Sequence, residues 1–328
     1  YIHVDIDPKE GMISITNDGD GIDVAKHPEH DIWIPEMIFG HLRTSTNYDK
    51  QEKKIVGGKN GFGFKLVLIW SEWGCVETFD HIRKKKYTQY FRDNLNVIEP
   101  PTITKGTGKP YTKVTFKPDY KRLGLVNLSA SMRAMFERRI YDIAAVTEKR
   151  VTVKLNGEPI QVKTFPNYID MYIGGKDDRE RVYELANERW EYAVCLSPYD
   201  EYTTVSFVNG IYTAKGGKHT EYIINQIVKK MTALILKKKK VTVKPTAIKE
   251  QLMLFLRCDI ENPSFDSQTK DFMNTPVAKF GSSCEVSDKF IDKLAKIGVL
   301  NAACAITEVK QEKQATKTDG NKTRTVRG

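Results

Sequence analysis

Four glycines fall within seven positions in Gly57-Gly58-Lys59-Asn60-Gly61-Phe62-Gly63, with cations at Lys59 and Lys65. Without side chains in the way, several backbone N–H groups of such a run can converge on phosphate oxygens, and a helix starting behind it adds orphan donors and a positive dipole end. The same composition also suits a plain surface loop. The run is not the G-x-x-x-x-G-K-[ST] loop, because Leu66 follows Lys65, and it does not follow a first parallel strand as the dinucleotide fingerprint does. A second signal is Asn17-Asp18-Gly19-Asp20-Gly21, which alone is equally a corner where glycine supplies positive φ and Asp a local hydrogen bond. A third is Lys237, Lys238, Lys239 and Lys240, four cations that suit either phosphates or a solvated helix end complementing the dipole.

These residues need elements to hold them. Residues 1–7 alternate apolar and polar, Asp7-Pro8-Lys9-Glu10-Gly11 turns, and Met12 to Thr16 alternates again, which predicts a hairpin ending at the Asn17 corner. A polar, irregular segment from about residue 40 leads into the glycine run. Behind it, Phe64-Lys65-Leu66-Val67-Leu68-Ile69-Trp70 fits strand or buried helix by periodicity, and a helix fed by the glycine loop is the reading adopted. Residues 75–117 read as successive strands, and a first domain is placed at 1–118. Residues 128–145 read as a helix, and strands follow at 151–155, 192–196 and 203–208. The longest helical pattern carries Ile223, Ile227, Met231, Leu234 and Ile235 on one face and runs into the four lysines. An apolar strand at 251–258 and a polar loop at 261–270 complete a second domain at 119–309. From 310 the chain is basic, without aromatics, and reads as a linker or tail.

Composition bounds the function class. The 328 residues suggest about two domains. A net charge of +10 favours a polyanionic partner without demanding one. No apolar run reaches the roughly 20 residues of a membrane span, and no signal peptide is legible, so no membrane partner is expected. The five cysteines are widely spaced with no C-x-x-C pair, which argues against a disulfide framework or a zinc site and points to a reducing cytosolic or nuclear compartment.

The signals together resemble a family. The stretch 24–65, including Ile34-Pro35-Glu36-Met37-Ile38-Phe39-Gly40-His41-Leu42, Thr44-Ser45-Thr46-Asn47-Tyr48 and the glycine run, is similar to the ATP-binding region of eukaryotic-type DNA topoisomerase II. The similarity continues in order through Tyr111-Thr112-Lys113-Val114-Thr115-Phe116-Lys117-Pro118-Asp119, Ser206-Phe207-Val208-Asn209-Gly210 and Lys215-Gly216-Gly217. It ends with Glu261-Asn262-Pro263-Ser264-Phe265-Asp266-Ser267-Gln268-Thr269-Lys270. The resemblance implies an α+β chain: a GHKL-type ATPase domain, a mixed sheet backed by helices, followed by a transducer domain of the ribosomal S5 domain 2-like class.

It also implies roles. Asn17 matches the residue that meets adenine, and Ser45, Thr46 and Asn47 match those along the ribose and phosphates. Lys59, Asn60, Gly61, Phe62 and Gly63 match the loop around the triphosphate, with Lys65 close behind. Gln268 and Lys270 match the transducer loop that reaches the γ-phosphate, and Lys237 to Lys240 match a lysine-rich loop that faces DNA. ATP and Mg²⁺ are the implied cofactors, and double-stranded DNA and a second copy in a homodimer the implied partners. The compartment is nuclear in a cell, or the host cell or virion for a large DNA virus.

The chain departs from the family pattern at Lys59 for Arg, Phe62 for Tyr, Phe64 for Ala and Thr46 for Ser. Lysine keeps the charge but loses the bidentate fork, and Phe loses a hydroxyl donor. The family's general base and Mg²⁺-binding Asn are expected upstream of residue 1, so no metal ligand is assigned within the chain. The toprim carboxylates and DNA-attacking tyrosine are expected downstream of residue 328. Another GHKL ATPase of mismatch-repair or chaperone type, or a non-catalytic basic DNA-binding module, are the competing readings.

Overall fold

A computed structural model describes residues 1–42, 52–58, 61–199 and 201–308. The chain divides into two compact units: Tyr1–Glu52 with Gly58–Tyr168, and Lys53–Gly57 with Ile169–Gly328.

The first unit is built on a nine-stranded sheet. Strands β1 (Ile2–Asp7) and β2 (Met12–Asn17) form the expected hairpin, paired in register from Ile2 with Asn17 to Asp7 with Met12. β2 then pairs with β7 (Tyr111–Pro118), β7 with β3 (Ser71–Asp80), and β3 with β4 (Lys85–Arg92), all antiparallel. Short strands β5 (Val97–Ile98) and β6 (Thr102–Lys105) pair with β4. On its other edge β1 takes β8 (Val153–Leu155) in parallel, and β8 takes β9 (Glu158–Pro159). The predicted boundary at 118 therefore moves: β8 and β9 belong to the first sheet, and the first unit continues to Tyr168. A parallel partner arrives through a crossover, here the helix α3 (Ala130–Val146), rather than a local turn, so no nearby signal announces it.

Two short helices accompany the sheet, α1 (Ile34–Gly40), which the sequence pattern does not reveal, and α2 (Gly63–Ile69), which confirms the helical choice for 64–70. Leu68 of α2 is buried in a cluster with Phe39, Val76 and Phe91. Gly74 makes that seat possible, since a Cβ there would lie 2.2 Å from Leu68 Cδ2. At the other end of α2, Arg122 Nη1 donates to Ile69 O at 2.8 Å and its guanidinium lies 4.2 Å over the Trp70 ring, a cation at a helix C-terminus where free carbonyls favour one.

The second unit carries a five-stranded sheet in the order β10 (Arg181–Asn187), β11 (Trp190–Leu196), β14 (Leu252–Cys258), β12 (Thr203–Val208) and β13 (Ile211–Tyr212). β14 is central, antiparallel to β11 and parallel to β12. Its near-continuous apolar run follows from burial on both faces. Helix α5 (Lys218–Lys239) buries Ile223, Ile227, Met231 and Ile235 in the same core as Leu252, Leu254 and Leu256. Helix α4 (Phe165–Ile173) spans the division between the units, and the second also holds α6 (Pro245–Lys249) and α7 (Asp288–Leu294), which passes through a π-helical turn at Ala295–Val299 into helical residues 300–308. All five cysteines are free thiols.

One carboxylate ties the Asn17 corner's exit to β3. Asp80, 3% exposed, accepts from Val24 N at 2.9 Å, from the Ile82 and Arg83 amides, and from Arg83 Nη1 at 2.9 Å. Burial raises its pKa, but the Arg83 and Val24 amides and the Arg83 guanidinium outweigh it and hold the carboxyl at about 2, below the ordinary 3.8. A depressed carboxyl stabilises the fold above the unfolded value, and that contribution is lost as pH falls through the folded one. The stake is about 2 kcal/mol. Urea denaturation between pH 5 and pH 2.5 is expected to show a shallower loss of stability for Asp80→Asn than for the parent, and identical slopes would remove Asp80 from the acid transition.

Candidate nucleotide site and lysine cluster

In the first unit, Asn17 ends β2 with its side chain exposed and its Oδ1 accepting the Gly19 amide at 3.1 Å. It stands opposite Thr112 on β7, whose hydroxyl lies 3.0 Å from that of Thr78. Thr78, fully buried, also donates to Tyr111 O and accepts from Ile22 N. Gly21, at φ 76°, lets the chain pass against β3, for a Cβ there would lie 2.3 Å from Phe79 O. The D-G-D-G corner therefore lays residues 21–24 along the sheet beside Asn17.

Gly61 is left-handed at φ 64°, Phe62 is the N-cap of α2 without a side-chain cap, and Gly63 opens the helix. A Cβ on Gly58 or Gly63 would meet nothing within 4 Å among the described residues. Phe64 packs edge-on to Phe39 and Phe116, with ring centroids 5.2 and 5.9 Å away, which makes the family departure at 64 a packing feature. Lys65, expected close behind the phosphates, is 2% exposed, and burial pushes its ammonium pKa down. Ser45, Thr46, Asn47, Lys59 and Asn60 lie outside the described residues, as does the tail from 310.

In the second unit, residues 264–274 form a hairpin-like loop. Asn274 N donates to Ser264 O at 3.0 Å, Asp266 N to Phe272 O at 3.1 Å, and Lys270 N closes the tip onto Ser267 O at 3.1 Å. Gln268 is exposed at that tip. Lys270, at φ 60°, folds back so that Nζ donates to Gly57 O at 2.6 Å, 5.9 Å from the Phe265 ring centroid. Burial pushes its pKa down. Gly57, the first glycine of the run, belongs to this unit, so the structure brings together Lys270 and the root of the glycine run.

What aligns the loop is the Lys215-Gly216-Gly217 stretch. Lys215 N donates to Asp271 O, Met273 N to Gly216 O and Lys218 N to Met273 O, each at 2.9–3.1 Å. At Gly217, φ 145°, a Cβ would fall 2.3 Å from Met273 O. The sequence marks the stretch only as a helix start; its contact with a segment more than fifty residues later leaves no local pattern. Two further residues to which the sequence pattern gives no separate role are Asn209, bonded to Val56 O, and Asn262, bonded to Lys54.

Lys237 to Lys240 are all exposed at the end of α5. Lys240 takes the left-handed C-cap conformation, φ 58°, its amide reaching Leu236 O at 3.1 Å, and Lys238 Nζ lies 3.2 Å from Asp292 in an exposed pair. As to metals, the one group of three or more candidate ligands among the described residues is His27, Glu29 and His30, on an exposed loop with donor atoms within 4.8 Å of one another. Imidazole donors suit zinc-like ions, whereas Mg²⁺ takes oxygen ligands.

The sequence profile of the DNA gyrase B family matches residues 147–325. Among curated proteins, DNA topoisomerase 2 of Acanthamoeba polyphaga mimivirus is 44% identical over 323 residues, covering 97% of this chain and 25% of that protein. DNA topoisomerase 2 of Saccharomyces cerevisiae is 40% identical over 338 residues, covering 98% and 24%. The chain thus spans about a quarter of the length of these relatives. The crystal structure of the ATPase region of Saccharomyces cerevisiae topoisomerase II superposes with a TM-score of 0.88 at 41% identity, over 93% of this chain and 79% of that one. The ATPase and transducer domains of DNA topoisomerase II from Balamuthia mandrillaris give 0.89 at 38%, over 95% and 80%.

Gly217 and Gly58 differ in what a methyl group meets. Gly217→Ala forces backbone against backbone and is expected to lower unfolding free energy by about 2 kcal/mol or more, while Gly58→Ala stays within about 0.5 kcal/mol. Chemical denaturation of both variants checks the contrast, and equal effects would show that the loop does not depend on the close approach.

Proposed function

This chain belongs to the type II DNA topoisomerase family, to its ATPase and transducer region, and from that premise we propose that it binds ATP and converts the state of the γ-phosphate into movement of its second unit. The observation that carries the proposal is Lys270 Nζ on the Gly57 carbonyl, which couples a transducer lysine to the root of the phosphate-binding run. Asn17 recognises adenine at the end of β2. Ser45, Thr46 and Asn47 line the ribose and phosphates, and Lys59 to Gly63 supply backbone N–H groups around the triphosphate, with Lys65 beneath. Gly58 and Gly63, where a Cβ would meet nothing within 4 Å among the described residues, leave the backbone approachable by phosphate oxygens.

Lys270 needs only to exchange one oxygen partner for another. Its ammonium rests on a neutral carbonyl and is half-buried, so a γ-phosphate presents a stronger acceptor and compensates the charge that burial disfavours. Gln268 at the same tip adds a neutral donor. When the γ-phosphate leaves, the lysine returns to Gly57. Mg²⁺ is the family's companion of the triphosphate, but the described residues present no oxygen-ligand set for it at the glycine run. In the intact protein this cycle would drive closure of a homodimer around a DNA duplex and passage of that duplex through another, with Lys237 to Lys240 meeting the phosphate backbone.

Isothermal titration with AMP-PNP, paired with hydrogen exchange over 44–65, tests nucleotide binding; saturable binding with protection of that stretch is expected. In the intact protein, Lys270→Ala is expected to lower ATP turnover by roughly ten- to a thousandfold and to leave DNA affinity without nucleotide unchanged. Unaltered turnover would return Lys270 to the role of a surface lysine.

The lysine cluster has its own test. Converting Lys237, Lys238, Lys239 and Lys240 to Ala together should flatten the salt dependence of DNA binding by up to about 0.9 log units for each phosphate no longer neutralised, and should weaken DNA stimulation of ATP turnover while basal turnover holds. An unchanged salt slope with equal stimulation would make the cluster a solvated helix end.

A further inference from the structure

Residues 53–57 have no regular secondary structure, yet they are bonded by residues of their own unit more than 150 positions later. Lys54 and Asn262 bond both ways: Asn262 N donates to Lys54 O at 2.9 Å, and Lys54 N donates to Asn262 Oδ1 at 3.2 Å. Val56 O accepts from Asn209 Nδ2 at 3.2 Å, and Gly57 O from Lys270 Nζ at 2.6 Å. Lys53 Nζ lies 3.4 Å from Glu261. Gly57 is pressed against β13, where a Cβ would come within 2.7 Å of Ile211 Cδ1.

The two asparagines suit this work. Asn209 is fixed by its own amide, with Nδ2 donating to Ile260 O at 2.9 Å, Oδ1 accepting from Ile260 N at 2.7 Å, and its backbone N–H reaching Cys258 O. Asn209 and Asn262 have φ of 50° and 44°, the left-handed region that asparagine tolerates better than most residues with a side chain. Each combines a backbone bend with an amide aimed at the strap.

We propose that Asn209 and Asn262 are positioning residues for the glycine-rich run: they hold residues 53–57 against the rest of their own unit and so fix the point from which Gly58 onward departs. The proposal rests on the reading of that run as a phosphate-binding loop. Its consequence is that phosphate binding depends on a strap whose anchors, at the end of β12 and in the loop after β14, lie outside the glycine-rich run itself. Lys270 then acts on a backbone already held in place rather than on a free segment.

The test uses the intact protein with two variants, read by hydrogen exchange over 52–58 and by affinities for AMP and AMP-PNP. Asn209→Asp keeps the acceptor for Ile260 N–H but removes the Nδ2 donor to both Val56 O and Ile260 O, so Asn262→Gly is the variant that separates loss of the strap contact from a local change at Ile260. Asn262→Gly keeps the left-handed bend and deletes only the side chain, so it carries the test if the first variant fails to fold. Each is expected to speed exchange across 53–57 and to weaken AMP-PNP binding about three- to tenfold, the worth of one net hydrogen bond, while AMP binding holds. Faster exchange with unchanged AMP-PNP affinity overturns the proposal, as do equal losses for AMP and AMP-PNP, which would mark general structural damage, or unaltered exchange. No AMP-PNP binding by the parent overturns the nucleotide reading and this proposal with it, whereas parent binding matched by both variants overturns the proposal alone.

Discussion

Backbone lies against backbone at Gly217. The Met273 carbonyl occupies the space a side chain would take, and the amides and carbonyls around it pair in the manner of a short parallel bridge. The start of α5 and the strand end of the 264–274 loop are thereby held at a spacing that only glycine permits. α5 is itself immobilised by Ile223, Ile227, Met231 and Ile235 in an extended apolar core of the second unit. The Lys270 tip is thus referred to a rigid helix through a few backbone bonds, and its ammonium can meet a single carbonyl without a large entropic cost. Long lysine side chains hold fixed contacts poorly unless their backbone is already placed.

Polar groups inside the same unit follow a related logic. Ser206, Thr213 and His219 form a buried chain, with Ser206 Oγ 2.6 Å from Thr213 Oγ1 and the latter 3.2 Å from His219 Nε2. Burial holds His219 down to about 3, so the imidazole stays neutral at physiological pH. The chain links β12, through Thr213 just after β13, to the first turn of α5, which follows Lys215-Gly216-Gly217. A neutral network can sit there where a charged one would carry a desolvation penalty.

Much of this was legible in the sequence, and the exceptions share a cause. α5 is readable because its buried residues recur every three to four positions over 22 residues, and β14 because a central strand buried on both faces is apolar throughout. The β1–β2 hairpin carries its turn between its strands. α1 has only seven residues and no side-chain cap, too few turns for a period to show. β8 joins β1 across about 150 residues, and parallel pairing needs no turn signature. The glycine run and Lys270 stand out by composition and by resemblance, but the tasks of Gly217, Asn209 and Asn262 are set by partners far along the chain. The burial of Lys65 was likewise invisible, because α2 is too short for a moment to reveal which way residue 65 faces.

The pairing of β1 with β8 also bears on how this chain can be divided. β1 runs between β2 and β8, with its own Val4 and Ile6 buried. A fragment stopped at residue 118 would strip off β8 and leave the β1 side of the hairpin as a bare edge, a row of unpaired amides and carbonyls next to apolar side chains. Such an edge is a template for a strand from another molecule. Self-association of that fragment would then report a missing cover strand, not a property of the folded protein, and a fragment carried through Tyr168 keeps the edge sheathed.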